Sequence, residues 1–327
     1  MSLNFTRPKT IEQTRSIASL RNNIDRQEAE ILLSHVLKRP REYLITHGDE
    51  KIPIWDTWKF FRAVRRRFHG VPIAHITGHK EFYGLDFFVN KHTLIPRPET
   101  ELLIECVATT VNSRQPTDDY DQSSSVDRRP SSVVLIDIGT GTGCIPIAIL
   151  KTFPPEADQP LAEKHKSIKA YAIDISRPTL RIAKKNAKHH GVDITLLYGN
   201  LLEPIINNKK SEICNLKSEI IITANLPYLT AEQFAGEPSI RHEPKTALVA
   251  EDGGLALYKK LLKQIVTLPH CQIVCFFEID PSQSVPLSTY IQKHFPNAVI
   301  EIKKDLAGRD RVMHITISSD AQTGEKK

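Results

Sequence analysis

From about residue 11 to residue 69, apolar positions recur at helical spacing. Between residues 26 and 37, Ala29, Leu32, Leu33, Val36 and Leu37 fall along one face, and Asp25 precedes them as a potential cap. Residues 57–68 give a second amphipathic helix, with Trp58, Phe61, Val64 and Phe68 on one side and Arg62, Arg65, Arg66 and Arg67 on the other. The arginine side reads either as a solvated face or as a dock for an acidic or RNA-bearing partner. From residue 72 to 95 the pattern turns extended. Glu81-Phe82-Tyr83-Gly84-Leu85-Asp86-Phe87-Phe88-Val89 sets aromatic residues about a glycine, as a β-hairpin requires. Pro96-Arg97-Pro98 ends that run, and residues 100–110 return to helical spacing.

Residues 112–132 are rich in Ser, Asp, Arg and Pro and have almost nothing to bury, so they read as a flexible insertion. Beyond them strands and helices alternate. Strands are expected at 133–137, 168–173, 194–198, 220–223 and 273–279, with helices at 144–153, 178–190, 255–266 and 283–294. Residues 299–303 and 312–317 suit a terminal antiparallel ribbon, and 319–327 a frayed polar tail. This alternation predicts an α/β fold with a mostly parallel sheet covered on both faces.

Composition adds limits. A chain of 327 residues exceeds the usual single domain, and 40% hydrophobic with 25% charged residues is globular. Lys plus Arg outnumber Asp plus Glu by 44 to 38, a mildly basic balance shared by many enzymes. The five cysteines (Cys106, Cys144, Cys214, Cys271 and Cys275) contain no Cys-x-x-Cys pair, so free buried thiols and no zinc site are expected. No apolar run approaches membrane-spanning length, and no membrane partner is expected. The basic start, with Arg7, Lys9, Arg15 and Arg21, has the bias of a transit peptide. Because helical patterning already begins near residue 11, a cytoplasmic location is expected instead.

Two segments carry chemistry. Asp137-Ile138-Gly139-Thr140-Gly141-Thr142-Gly143 leaves the first strand of the alternating region and opens a helix. Alternate glycines allow positive φ and let a ligand lie against the main chain. A dinucleotide fingerprint would place glycine where Cys144 stands. The turn therefore fits a ligand without a pyrophosphate, such as S-adenosylmethionine, better than NAD. Asp174 closes the next strand, where a carboxylate can accept from the two hydroxyls of a ribose, while Ser176 serves to cap the following helix.

The second segment, Asn225-Leu226-Pro227-Tyr228, directly follows the fourth strand. In an open parallel sheet, ligands gather at the carboxyl ends of strands, so both segments face one crevice. An amide or aromatic-amine nitrogen shares its lone pair with a π-system and attacks poorly. The Asn225 side-chain carbonyl and the Leu226 main-chain carbonyl can bind both N–H protons and orient that nitrogen. Pro227 constrains the turn, and Tyr228 offers a flat face to a planar group. An in-line methyl transfer would gain most of its rate from such orientation, without metal or covalent intermediate.

At these residues the chain resembles the release-factor glutamine N5-methyltransferases, over about residues 11–318. Leu94-Ile95-Pro96-Arg97-Pro98-Glu99-Thr100-Glu101 carries the resemblance most specifically. Further matches are Glu243-Pro244, Ala247-Leu248, Gly253-Gly254-Leu255, Phe277-Glu278-Ile279 and Asp305-Leu306-Ala307-Gly308-Arg309. The resemblance implies a Rossmann-like, seven-stranded S-adenosylmethionine-dependent methyltransferase domain over 96–318. It also implies a helical substrate-recognition domain over 1–72 and a β-hairpin linker over 73–95. Implied cofactor contacts are Gly139, Thr140, Gly141, Thr142, Gly143, Asp174, Leu201 and Asn225, and the catalytic set is Asn225, Leu226, Pro227 and Tyr228. The implied partner is a class-I peptide-chain release factor, methylated on the glutamine of its Gly-Gly-Gln motif in support of translation termination. A monomer without stable nucleic acid is expected. The family usually has two prolines where Leu226-Pro227 stands, and an acidic residue where Asn200 stands. Asn-Leu-Pro-Tyr is also similar to the rRNA adenine dimethyltransferases, so the alternative is an adenine N6-methyltransferase acting on rRNA or DNA. A catalytically silent binding module is a further rival, and an NAD-linked dehydrogenase finds no hydride-handling residue.

Overall fold

A computed structural model describes residues 10–22, 24–112, 132–153, 167–207, 219–268 and 272–318. Of the insertion expected at 112–132, Asn112 ends a helix and Ser132 begins a strand, while residues 113–131, the tail at 319–327, Cys214 and Cys271 lie outside the described residues. Contacts divide the chain into two compact units, one reaching His79 and including Glu237–His242, the other holding the rest.

The first unit is helical: α1 (Ile11–Asn22), α2 (Arg26–Leu37), α3 (Arg41–Thr46), α4 (Ile54–Phe68) and α5 (Ile73–Thr77). Ile11, Leu32, Leu33, Leu44, Phe60 and Val64 form its core. The expected apolar face of α4 is corrected here. Trp58 and Phe68 are 53% and 61% exposed, whereas Thr57, Phe60, Ala63 and Val64 are buried. Phe60, Ala63 and Val64 keep i, i+3, i+4 spacing, so the core contact runs one residue off the bulkiest aromatics. The arginine side of α4 is not simply solvated. Arg67 donates to both oxygens of Glu28, Arg62 lies 5.6 Å from the Trp58 ring centre, and Arg66 donates to the His75 carbonyl. Asp25 makes no side-chain cap. Residues 73–77, expected to be extended, form a helical turn that Gly78 ends in the left-handed region.

Beneath this core, Glu30 accepts from Arg15 at 3.0 Å and from Arg41 at 2.9 Å. The Arg41 hydrogen bond leads the effects holding the Glu30 carboxyl below its ordinary pKa. Such a group adds stability at neutral pH that is lost as pH falls through its lowered pKa. Truncating it leaves Arg15, 5% exposed, with Glu12 as its remaining carboxylate partner. Glu30→Ala is expected to destabilise this unit by about 3 kcal/mol in urea unfolding; a change within experimental error would refute a structural role for the network.

The second unit opens, from Lys80 on, with the hairpin of β1 (His79–Phe82) and β2 (Leu85–Phe88). Tyr83 and Gly84 both take positive φ, 52° and 70°, the geometry that joins twisted strands through two residues. There follow α6 (Glu101–Asn112), β3 (Ser132–Ile138), α7 (Cys144–Thr152), β4 (Ser167–Asp174), α8 (Arg177–His190), β5 (Thr195–Tyr198), α9 (Glu203–Ile206) and β6 (Glu219–Ala224). The chain continues as α10 (Ala231–Gly236), α11 (Ala256–Ile265), β7 (Ile273–Glu278), α12 (Ser284–His294), β8 (Val299–Lys304) and β9 (Asp310–Ile317). The seven-stranded sheet has the order β5-β4-β3-β6-β7-β9-β8. Its pairs from β5 to β7 are parallel, while β9 runs antiparallel to β7 and β8.

Strand alternation covers both faces. Ile136, Ile222 and Phe277 face α11 and α12, whereas Leu135, Ile221 and Phe276 face α6 and α7. The described cysteines, Cys106, Cys144 and Cys275, are free and buried. Among the described residues no helix is long and apolar enough to cross a membrane.

Candidate active site

The chain builds outward from β3 to β4 and β5, then returns to lay β6 on the other side of β3. The ends of β3 and β6 thus flank the point where strand order reverses, the place where open sheets bind ligands. Register makes the strand ends level. Ile138 pairs with Ile173 on one side and Ala224 on the other, and Ala224 pairs with Phe277. The next residues along the strands, Asp174, Gly139, Asn225 and Glu278, therefore stand in one row.

A cavity of about 450 Å³ opens over this row, within the size range of small-molecule sites. Its wall includes Gly139, Gly141, Asp174, Asn225, Leu226 and Pro227, and Leu201 lies on the β5 side. Gly139 has φ +70°, and a Cβ there would lie 3.1 Å from Leu226 Cδ2. The two segments thus pack directly on one another. Gly141 donates its N–H to Asp174 Oδ2 at 3.1 Å, and Ser176 donates to Oδ1 at 2.8 Å. Ser176 also caps α8 through Thr179. Asp174 is therefore less free than the sequence implies, though each oxygen retains a lone pair. Burial raises its pKa, opposed by the Ser176 and Gly141 N–H groups.

Thr140, Thr142 and Gly143 are not on the cavity wall. The threonines are buried, Thr142 gives its carbonyl to Asn186 Nδ2, and a Cβ at Gly143 would touch Ile147 and Ala183. Thr142 and Gly143 seat the turn on α8 through main-chain positions. Tyr228 is half-buried and also off the wall; its main chain rests on Gly254, whose Cβ would lie 2.2 Å from the Tyr228 oxygen. Burial pushes the Tyr228 phenol up to about 12, so it stays neutral.

The structure adds residues to which spacing assigned no role. The Asn225 amide nitrogen donates to Glu278 Oε2 at 2.9 Å and to Thr100 Oγ1 at 3.1 Å. Leu226 N–H donates to the Tyr258 hydroxyl, which in turn donates to the Glu278 main-chain carbonyl. Glu243 accepts from the Ile95 N–H and from Arg97, binding the segment before α6 to the loop that covers the cavity. Glu243, Gly254 and Glu278 stand within segments the resemblance quoted, but only the fold reveals their partners.

The PrmC N-terminal domain model matches residues 13–78. A release factor glutamine methyltransferase of Bacillus anthracis is 32% identical over 298 residues, covering 90% of this chain and 94% of that protein. The chain belongs to the release factor glutamine methyltransferase family. The Bacillus subtilis family member is 31% identical over 287 residues, covering 87% and 89% of the two chains. Among solved structures, the hMettl16 catalytic domain bound to an RNA hairpin has TM-score 0.48 and 16% identity over 81% of each chain. Membership makes this chain a methyltransferase.

Asp137 stands one residue before the end of β3 beneath the glycine turn and is fully buried, accepting from Thr223 at 2.7 Å. Burial pushes its pKa from 3.8 up to about 7, against the hydroxyls of Thr140 and Thr223. The folded chain thus keeps a proton that the unfolded chain has released, so stability falls as pH rises across that interval and levels above it. Unfolding free energy should decline from about pH 5 to about pH 7 less steeply in Asp137→Asn than in the natural protein; parallel curves would contradict this.

Proposed function

We propose that this enzyme methylates the side-chain amide N5 of the glutamine in the Gly-Gly-Gln motif of class-I peptide-chain release factors, using S-adenosylmethionine. The observation carrying this reading is the Asn225 side chain, set at the cavity wall with its NH2 occupied on Glu278 and Thr100. Its Oδ1 is left as the acceptor for a substrate NH2. The relatives' shared name, release factor glutamine methyltransferase, supports the substrate class.

The cavity suits the cofactor chemically. Gly139 and Gly141 line it with main chain alone, Asp174 offers remaining acceptor capacity for a ribose diol, and exposed Ile175 gives an apolar surface beside it. When bound, S-adenosylmethionine supplies an electrophilic methyl group. Asn225 Oδ1 and the Leu226 carbonyl would accept the two amide N–H protons, turning the nitrogen toward that group. Pro227 restricts the loop, and neutral Tyr228 contributes a flat face rather than a base. The helical unit is assigned recognition of the release-factor body. Free thiols buried in the core are consistent with a reducing cytoplasm.

Incubation with S-adenosylmethionine and unmethylated release factor, followed by peptide mass mapping, should find one methyl on the Gly-Gly-Gln glutamine; an unmodified peptide would reject the proposal. Asn225→Ala should lose at least about 100-fold in turnover, as expected for a group that orients the nucleophile. Its cofactor affinity should fall far less, and equal losses would remove its assignment to the nucleophile. Asp174→Ala should weaken S-adenosylmethionine binding by about 1–3 kcal/mol in calorimetry, and unchanged affinity would move the ribose contact elsewhere.

A further inference from the structure

Asn225 depends on residues that lie outside the cavity wall. A carboxamide NH2 has two hydrogens, and here each has an acceptor, Glu278 Oε2 at 2.9 Å and Thr100 Oγ1 at 3.1 Å. Glu278 is 1% exposed and follows Phe277, which pairs with Ala224 immediately before Asn225. Thr100, 2% exposed, closes the helical turn Pro98–Thr100 and sets its hydroxyl near the Glu278 carboxyl. Glu278 and Thr100 thus take both hydrogens of the Asn225 carboxamide, and Oδ1 is the carboxamide atom left to accept from a ligand.

A carboxamide freed from such partners can turn by half a revolution, exchanging oxygen for NH2. In the cavity that exchange would set donors against the donors of a substrate NH2, and no hydrogen bond would form. It would also set Oδ1 against the Glu278 oxygen, which is unfavourable. The buried glutamate is not explained by stability alone. Burial pushes its pKa up to about 7, offset by Thr100 and by Arg311 and Arg97. Well-packed apolar groups in place of a buried charge are commonly neutral or stabilising.

We propose that Glu278 and Thr100 are positioning residues for methyl transfer, gripping the Asn225 NH2 so that its Oδ1 faces the substrate amide. Neither touches the substrate. This rests on the functional reading above, in which Asn225 Oδ1 receives the reacting NH2. Where Glu278 is ionised, its bond from the NH2 is charge-assisted, shorter and stronger than a neutral one, and it polarises the amide toward a more basic oxygen. The fold spans the sequence to achieve this, because Thr100 and Glu278 lie 125 and 53 residues from Asn225.

The test uses the full-length protein. In nitrogen-15 NMR the Asn225 side-chain NH2 should exchange slowly with solvent, and Glu278→Leu should speed that exchange about tenfold or more while the melting temperature holds or rises. With release factor as substrate, Glu278→Leu should lower kcat at least about tenfold while S-adenosylmethionine affinity stays within about threefold. Glu278→Gln, which keeps an acceptor, should restore most of the rate. On an Asn225→Ala background, Glu278→Leu should cost less than about twofold more, because its route of action is already gone. An additive loss, unchanged amide exchange, or loss in proportion to unfolding would overturn the proposal. Should Glu278→Leu fail to fold, Thr100→Val faces the same exchange and rate measurements, with a loss of about threefold or more expected and none refuting. If the natural enzyme leaves release factor unmethylated, the functional reading fails, and the exchange measurement alone decides whether the grip on Asn225 exists.

Discussion

Strand register is the constraint on which the site depends. Ile173, Ile138, Ala224 and Phe277 are paired across four parallel strands, so the chain leaves all four at one level. A shift of one residue between β3 and β6 would turn every side chain on one strand to the other face and separate Gly139 from Asn225. Two packed layers specify that register, since Leu135 and Ile136 each have a different core to enter. The hydrophobic pattern of the strands therefore sets the chemistry at their ends.

Upon that row, polar groups are fixed by one another rather than by solvent. Asp174 holds the glycine turn through Gly141, Tyr258 bridges the Leu226 N–H and the Glu278 carbonyl, and Glu278 with Thr100 holds Asn225. At this depth each hydrogen bond is electrostatically stronger than it would be in water. The covering loop is tied down in the same manner, through Glu243 to Ile95 and Arg97. Rigidity of this kind suits a reaction whose poor nucleophile gains most from being held in one orientation.

Much of this was legible in the chain. Strand periodicity located β3, β4, β6 and β7, and glycine spacing with Asn225-Leu226-Pro227-Tyr228 located both sides of the cavity. The α4 face was misread because its largest aromatics, Trp58 and Phe68, stay exposed while Phe60 enters the core. The short helix at Ile73–Thr77 escaped notice because five residues carry too little period to register. Thr140, Thr142 and Gly143 lie off the cavity because glycine turns use some positions for geometry, which spacing does not distinguish from contact. Glu278 and Thr100 had no local signal of their roles, since hydrogen bonds across the fold leave no periodicity in sequence.

The central claim concerns which atom of Asn225 faces the ligand. A crystal structure of the full-length enzyme with S-adenosylhomocysteine and a Gly-Gly-Gln peptide tests it most directly. The account requires the glutamine NH2 to lie within hydrogen-bonding distance of Asn225 Oδ1 and the Leu226 carbonyl. It is contradicted if the peptide binds with its glutamine elsewhere, or with the Asn225 side chain turned from the cavity.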